Sequence, residues 1–379
     1  MSTIPFNRPA SIGKEIENIK QAIKNGHLSG NGPFTKKCQV WLEEEIGCNK
    51  VLLTQSCTGA LIMAAILADI QPGDEIIMPS FTFVSTANAF VMRGGTPVFV
   101  DINPDTLNIN ETQIAGAITP KTKAIVPVHY AGVGCEMDVI MALAEDNGLL
   151  VIEDAAQGIT AAYKGKPLGS IGQMAGLSFH ETKNIISGEG GALLINDNRL
   201  VDRAEVIWEK GTDRAKFFRG QIDKYTWIDV GASFLPGEIM AAFLYAQLEE
   251  VDVIRDRRLE IWNTYHNAFE GIEAGGKIRR PIIPTHLTHN AHIYYLLLSD
   301  LRSRTIFIEK MRDQGVQTIF HYVPLHSSPA GKHYGRYHGD LSVTEDISDR
   351  LVRLPLWIEM SSSDIEQVIS ATIEALKFI

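Results

Sequence analysis

Three short segments concentrate the polar residues best able to do chemistry. Thr54-Gln55-Ser56-Cys57-Thr58-Gly59-Ala60 runs into an apolar stretch of helical period. A small hydroxyl and a glycine there suit a phosphate, because unpaired N–H groups and the helix dipole point at it. The commoner use of such residues is a plain N-cap by Ser56 or Thr58. Glu153-Asp154-Ala155-Ala156-Gln157 sets an acid at a strand end, where it can pair with a cationic ligand or merely cap a turn. Gly176-Leu177-Ser178-Phe179-His180-Glu181-Thr182-Lys183-Asn184, followed by Gly188-Glu189-Gly190-Gly191, delivers a lysine into a turn whose glycines permit close backbone approach. A partly buried lysine gives up its proton readily and serves as a Schiff-base nucleophile; the usual lysine is merely solvated.

Other constellations fail. His180-Glu181 opens like a zinc-protease helix, but Asn184 stands where the second histidine is needed. His286, His289 and His292 lie three apart without a cysteine partner and read as ordinary loop and core histidines, so no metal site is expected. No phosphate-loop or serine-hydrolase signature is present. A net charge of −10 over 379 residues argues against a broad nucleic-acid-binding face while allowing a local basic pocket. The longest apolar run, Leu61 to Ala68, stops at Asp69, far short of the roughly 20 residues a membrane helix needs. Met1 to Pro9 shows no charged start leading into an apolar stretch, and Cys38, Cys48, Cys57 and Cys135 look like reduced thiols. A cytoplasmic protein without nucleic-acid or membrane partners is the expectation.

The elements that position the three segments follow from hydrophobic period. Apolar runs at Val51–Leu53, Glu75–Met78, Pro97–Val100, Ala124–Val128 and Leu149–Ile152 alternate with helical patterns at 58–70, 83–93, 109–118 and 137–147. Strands at Met174–Phe179 and Gly191–Ile195 follow. Pro236 then opens a long helix toward residue 268. Later elements are a strand at Ala291–Leu298 and helices at 304–313 and 362–376. This is an α/β pattern: a large, mainly parallel sheet with helices on both faces, residues 1–250, and a smaller α+β domain, residues 251–379. In such sheets ligands sit beyond the C-terminal strand ends, where all three polar segments fall.

Together the segments meet the needs of one cofactor, pyridoxal 5′-phosphate. It requires a lysine for its aldehyde (Lys183), an acid against its ring nitrogen (Asp154), donors for its phosphate (Ser178 with Thr58 and Gly59) and a flat apolar group against its ring (Phe83). With Pro79-Ser80-Phe81-Thr82-Phe83, Val128-His129-Tyr130-Ala131-Gly132 and His321-Tyr322-Val323-Pro324-Leu325-His326 added in order, the whole chain resembles the DegT/DnrJ/EryC1/StrS family of sugar aminotransferases.

The resemblance implies the type I, aspartate-aminotransferase-like fold, a covalent link from Lys183 to the cofactor, and Gln157 beside the ring. It also implies a homodimer with shared active sites. Many members lend the neighbouring subunit's phosphate an asparagine from a Gly-Tyr-Asn segment; here Gly231-Ala232-Ser233 stands there, leaving Ser233 a single hydroxyl. Likeness across Phe217–Trp227 points to members that move the amino group of L-glutamate, releasing 2-oxoglutarate, to C4 of dTDP-4-keto-6-deoxy-D-glucose. The product implied is dTDP-4-amino-4,6-dideoxy-D-galactose, for surface polysaccharide such as lipopolysaccharide. The gluco-epimer, a 3-keto substrate or a sugar dehydratase are the alternatives; the related 3-dehydratases carry histidine where Lys183 stands. A scaffold needs none of Lys183, Asp154 and Ser178. His326, Arg219, Lys224 and the Leu28–Gly32 loop are the candidates for the nucleotide diphosphate.

Overall fold

The computed structural model describes residues 3–379. Seven of the eight strands of the central sheet are β1 (Lys50–Thr54), β2 (Glu75–Pro79), β3 (Thr96–Val100), β4 (Thr122–Ile125), β5 (Leu150–Asp154), β6 (Met174–Ser178) and β7 (Gly191–Ile195). Later strands are β8 (Tyr294–Leu297), β9 (Arg336–Tyr337) and β10 (Leu351–Leu354). The sheet order is β1-β7-β6-β5-β4-β2-β3-β9, parallel except for β7, which runs antiparallel to both neighbours. Strands covered on both faces read as continuous apolar runs, and successive residues feed opposite cores. Leu52, Met78, Ala124, Ile152 and Leu193 join one cluster with the helix Cys57–Leu67, which we label α1. Val51, Leu53 and Leu194 enter a second cluster; Ile77, Ile125 and Val151 enter a third.

Apart from Ile4, every buried residue of a further cluster lies beyond residue 260, around β8, β10 and the helices Leu301–Asp313 and Ser362–Ala375. Both helices start on side-chain caps: Asp300 accepts the Ser303 N–H, and Ser361 and Asp364 form a reciprocal capping box.

Two expected helices differ. The 109–118 pattern forms a 3₁₀ turn, Glu111–Gln113, and one α-turn, Ile114–Ala117. The Asn110 side chain caps the turn at Thr112 and Ile118 is extended, so the segment is closed at both ends. The long helix from Pro236 is two helices, α2 (Glu238–Glu249) and α3 (Val251–Ala268), broken at Glu250. Helix α3 itself spans two cores: Val251 and Ile254 bury with α2 on the large sheet, and Ile261, Trp262 and Tyr265 fill the later core. Glu238, the first residue of α2, accepts N–H bonds from Gly32, Phe34 and Thr35 at 2.8–3.1 Å and so caps the helix Pro33–Ile46. Cys38, Cys48, Cys57 and Cys135 are all unpaired thiols. No described helix is long and apolar enough to cross a membrane.

Candidate active site

Asp154 and Ser178 are the last residues of β5 and β6, and Phe83 lies four residues beyond β2, so parallel register brings all three to one sheet edge. Antiparallel β7 enters at the same edge, with Gly191 opposite both Thr54 and Ser178. A Cβ on Gly191 would lie 2.4 Å from the Cys57 nitrogen, so only glycine lets the loop before α1 come this close. Beyond this edge opens a cavity of about 890 Å³, closed from the other side by residues after 250, among them Arg258, His292 and Arg353.

Lys183, Asp154, Gln157, Ser178, Thr58 and Phe83 all line this cavity. The lysine sits in a loop stitched by Phe179 N–H to Gly190 carbonyl (2.9 Å) and Glu181 N–H to Gly188 carbonyl (2.8 Å). Next to it, the Asn184 amide donates to the Asn290 carbonyl at 2.8 Å, so its oxygen accepts from His292 Nδ1 at 2.9 Å. Burial holds the Lys183 amine below the usual lysine range, against opposing pulls from Cys57 and Asp154, and the Arg353 charge pushes the same way as burial. Burial together with Asp154 keeps Cys57 well above 9, hence a neutral thiol, so Asp154 is the counter-charge that acts.

Asp154 is 6% exposed. Its Oδ2 accepts from Thr86 Oγ1 at 2.6 Å, its Oδ1 from the Ala156 N–H at 3.1 Å, and Thr86 is paired with Thr82 at 2.8 Å. Gln157 accepts the Ala131 N–H at 2.7 Å and donates to the Tyr322 hydroxyl at 2.9 Å, which fixes Tyr322 against the cavity. Phe83 is 57% exposed, a large apolar ring left open at the mouth. Thr58 Oγ1 bonds Ser85 Oγ at 2.8 Å.

Gly59 does not line the cavity: its N–H is taken by Ser56 Oγ at 3.1 Å, so the plain N-cap and the outward-facing Thr58 coexist on one helix start. His326 is held outside by Ser80 (2.7 Å) and Glu345 (3.3 Å). Arg219 is paired with Glu205 at 2.8 Å, and Lys224 stands on the same exposed segment. Ser233 is exposed beside Phe234, whose carbonyl accepts the Gln55 N–H at 3.0 Å. In the Leu28–Gly32 loop, the Gly32 N–H is already committed to Glu238.

Sequence reasoning missed the support beneath Asp154. His129 and Glu153 are fully buried and bonded at 2.8 Å. The Cys135 N–H donates to His129 Nδ1 at 3.2 Å, so the ring proton sits on Nε2 and points at Glu153. Glu153 also accepts the N–H groups of Gly169, Ile171 and Gly172 at 2.7–2.8 Å. Burial pushes its pKa up, but His129 and these amides outweigh it and hold the carboxyl below 4.5. A depressed carboxyl contributes stability in full above its unfolded pKa and loses it as pH falls through the folded value. Glu153→Gln should therefore unfold with roughly 3 kcal/mol less stability at pH 7, and the deficit should shrink below about pH 4.5. Urea titrations of both proteins across pH 3–7 check this; a deficit that grows with acid would contradict it.

Pyridoxal phosphate fits these groups. A lysine of lowered proton affinity and a pre-aimed carboxylate share one cavity, with hydroxyls at Ser178 and Thr58 and an aromatic wall at Phe83. Among the described residues no cluster of three histidine, cysteine or acidic side chains could hold a metal ion.

MJ1066 of Methanocaldococcus jannaschii is 36% identical over 377 residues, covering 98% of this chain and 97% of its own. The spore coat polysaccharide biosynthesis protein SpsC of Bacillus subtilis is 34% identical over 382 residues, covering 99% and 97%. The solved aminotransferase TlmJ of Streptoalloteichus hindustanus superposes with a TM-score of 0.90 at 29% identity over 99% of both chains. A model of the DegT/DnrJ/EryC1/StrS aminotransferase family matches residues 9–373, a span that holds every cavity residue except Phe6 and Asn7, and the chain belongs to this family of pyridoxal-phosphate-dependent sugar aminotransferases.

Proposed function

We propose that the protein moves the amino group of L-glutamate to C4 of dTDP-4-keto-6-deoxy-D-glucose, forming dTDP-4-amino-4,6-dideoxy-D-galactose and 2-oxoglutarate. The observation that carries the chemistry is the shared cavity of Lys183, of lowered proton affinity, and buried Asp154. Pyridoxal phosphate, when bound, supplies an aldehyde to carry the migrating nitrogen and a ring that draws electrons from the neighbouring carbon. Lys183 would anchor the cofactor until the amine of glutamate displaces it; the freed Lys183 amine would then take the proton from the α-carbon of glutamate and, in the second half-reaction, deliver one to C4 of the sugar. Asp154, aimed by Thr86 and Ala156, would hold a protonated ring nitrogen by a charge-assisted contact. Phe83 would cover the ring face, Gln157 would lie beside the ring, and Ser178 and Thr58 would hold the phosphate, the Gly59 N–H being committed to Ser56.

Ser233, Arg219 and Lys224 lie off this chain's cavity, so in our reading they serve a neighbouring site in a homodimer, Ser233 at its phosphate and the cations near its nucleotide diphosphate. The segment bearing the two cations exposes Phe218, Tyr225 and Trp227 at 67%, 51% and 78%, which supports a partner there. His326, tied to Ser80 and Glu345, approaches the diphosphate only if those bonds open. We also propose domains at 1–250 and 251–379, a cytoplasmic location and a role in surface polysaccharide, in keeping with the name of SpsC.

Proton NMR of the product from dTDP-4-keto-6-deoxy-D-glucose, L-glutamate and the holoenzyme tests the reaction. An axial amine at C4 is expected. An equatorial amine would give the gluco-epimer instead, and loss of a hydroxyl without nitrogen gain would give a dehydratase.

A further inference from the structure

His292 lines the cavity that holds Lys183 and is only 5% exposed. Every polar group it carries is committed, save one. Its N–H donates to Asn290 Oδ1 at 3.0 Å, its carbonyl accepts from Arg258 Nη2 at 2.6 Å, and its Nδ1 meets Asn184 Oδ1 at 2.9 Å. The amides around it fix the direction of that last bond. Asn290 gives its amide hydrogens to the carbonyls of Gln157 and Ile159, both at 2.7 Å. Asn184 gives one of its own to the Asn290 carbonyl at 2.8 Å, so its oxygen is what faces the imidazole. The ring proton therefore sits on Nδ1, and Nε2 carries a bare lone pair. Among the described residues Nε2 has no hydrogen-bond partner, yet it is not sealed in the core, and the open space that His292 borders is the cavity. The backbone that aims the ring is strained: Ala291 sits at a φ of 51°, in the left-handed region that favours glycine.

We propose that His292 Nε2 accepts a hydrogen bond from the sugar hydroxyl on the carbon next to the keto carbon, and so selects for the acceptor sugar. The inference rests on the transamination reading above. An acceptor-only nitrogen discriminates between the two substrates by their chemistry. Once the nitrogen of glutamate is engaged, the rest of that molecule presents carboxylate oxygens, which a lone pair repels. A 4-keto-6-deoxy sugar has a methyl-bearing carbon on one side of the ketone and a hydroxyl-bearing carbon on the other. One donor thus stands beside the reacting centre. His292 is not a proton carrier, because burial first, then the charges of Lys183 and Arg258, hold its ring well below 6.5. A buried acceptor with no partner of its own in the protein disfavours any sugar that lacks the hydroxyl.

The test is calorimetric titration of holoenzyme with dTDP-6-deoxy-D-glucose, which has no ketone and does not turn over, with its 3-deoxy analogue, and with dTDP alone. Wild type should bind the 3-hydroxy sugar about tenfold more tightly than the 3-deoxy sugar. His292→Asn sets an amide nitrogen where Nδ1 stands, so the bond to Asn184 survives while the acceptor is lost. That variant should bind the two sugars within about twofold of each other, and should bind dTDP and respond to L-glutamate as wild type does. Equal affinity of wild type for the two sugars would overturn the proposal, and that comparison needs no variant. A preference that persists in His292→Asn, or a fall in dTDP affinity as large as that for the sugar, would overturn it too. Wild type that binds neither sugar nucleotide would instead overturn the substrate reading, and the inference with it.

Discussion

Lys183→Ala is expected to lose turnover by about 10³-fold or more, because one substitution removes both the proposed anchor for the cofactor and the group proposed to move the proton. The fold should survive. The lysine side chain faces a cavity already open on one side, and its loop is held by backbone bonds at Phe179 and Glu181 and by the Asn184 bridge to Asn290. The cofactor-free variant should be no less stable than wild type at pH 7. A lysine whose folded pKa lies below its unfolded value costs stability wherever the unfolded chain is charged, and that cost disappears as pH rises past the unfolded value of 10.5. The alanine variant should therefore match or exceed the wild-type unfolding midpoint at pH 7, with the gap closing near pH 10.5. Borohydride treatment of wild-type holoenzyme, then peptide mass mapping, should place the pyridoxyl group on Lys183. Near-normal turnover in the variant, or a label on another lysine, would remove the assignment.

The sheet was legible because its strands are short, apolar and covered on both faces, and that pattern needs no tertiary information. The polar segments were legible because each follows directly from a strand end: Asp154 closes β5, Ser178 closes β6, and Lys183 follows five residues later. What escaped depends on residues far apart in the chain. Thr86 reaches Asp154 across 68 residues, and Tyr322 reaches Gln157 across 165. Glu153 was visible beside Asp154, but its partner His129 and its three amide donors meet it only once β4 and β5 pair and the chain returns at 169–172. Arg353 left a local signal, a lone cation inside an apolar strand, but that it lines the cavity with Lys183 is visible only in the fold. The 236–268 helix failed for the opposite reason, since apolar residues on both sides of Glu250 pack into the same core and keep the helical period running across the break.

Asp154→Asn should isolate the charge from the shape. The amide can keep its oxygen on the Ala156 N–H and turn its nitrogen to Thr86 Oγ1, whose own proton then passes to Thr82, so every buried partner stays satisfied. Unfolding midpoints should accordingly change little. The ring nitrogen loses its anionic partner, and a neutral pyridine is a poor electron acceptor, so kcat should fall by about 10²–10³-fold, the usual size for one lost electrostatic partner. Pyridoxal phosphate affinity should drop only about tenfold, since the phosphate donors and the covalent anchor are untouched. A second consequence needs no turnover. The Asp154 charge raises the pKa of Lys183, so its removal must lower that pKa further and favour the neutral amine. In cofactor-free protein, the pH at which Lys183 becomes reactive toward acetic anhydride should therefore move down in the Asn variant. A midpoint that moves up would show that Asp154 does not face the lysine as a carboxylate, and an unchanged kcat would show that the charge is not what drives the reaction.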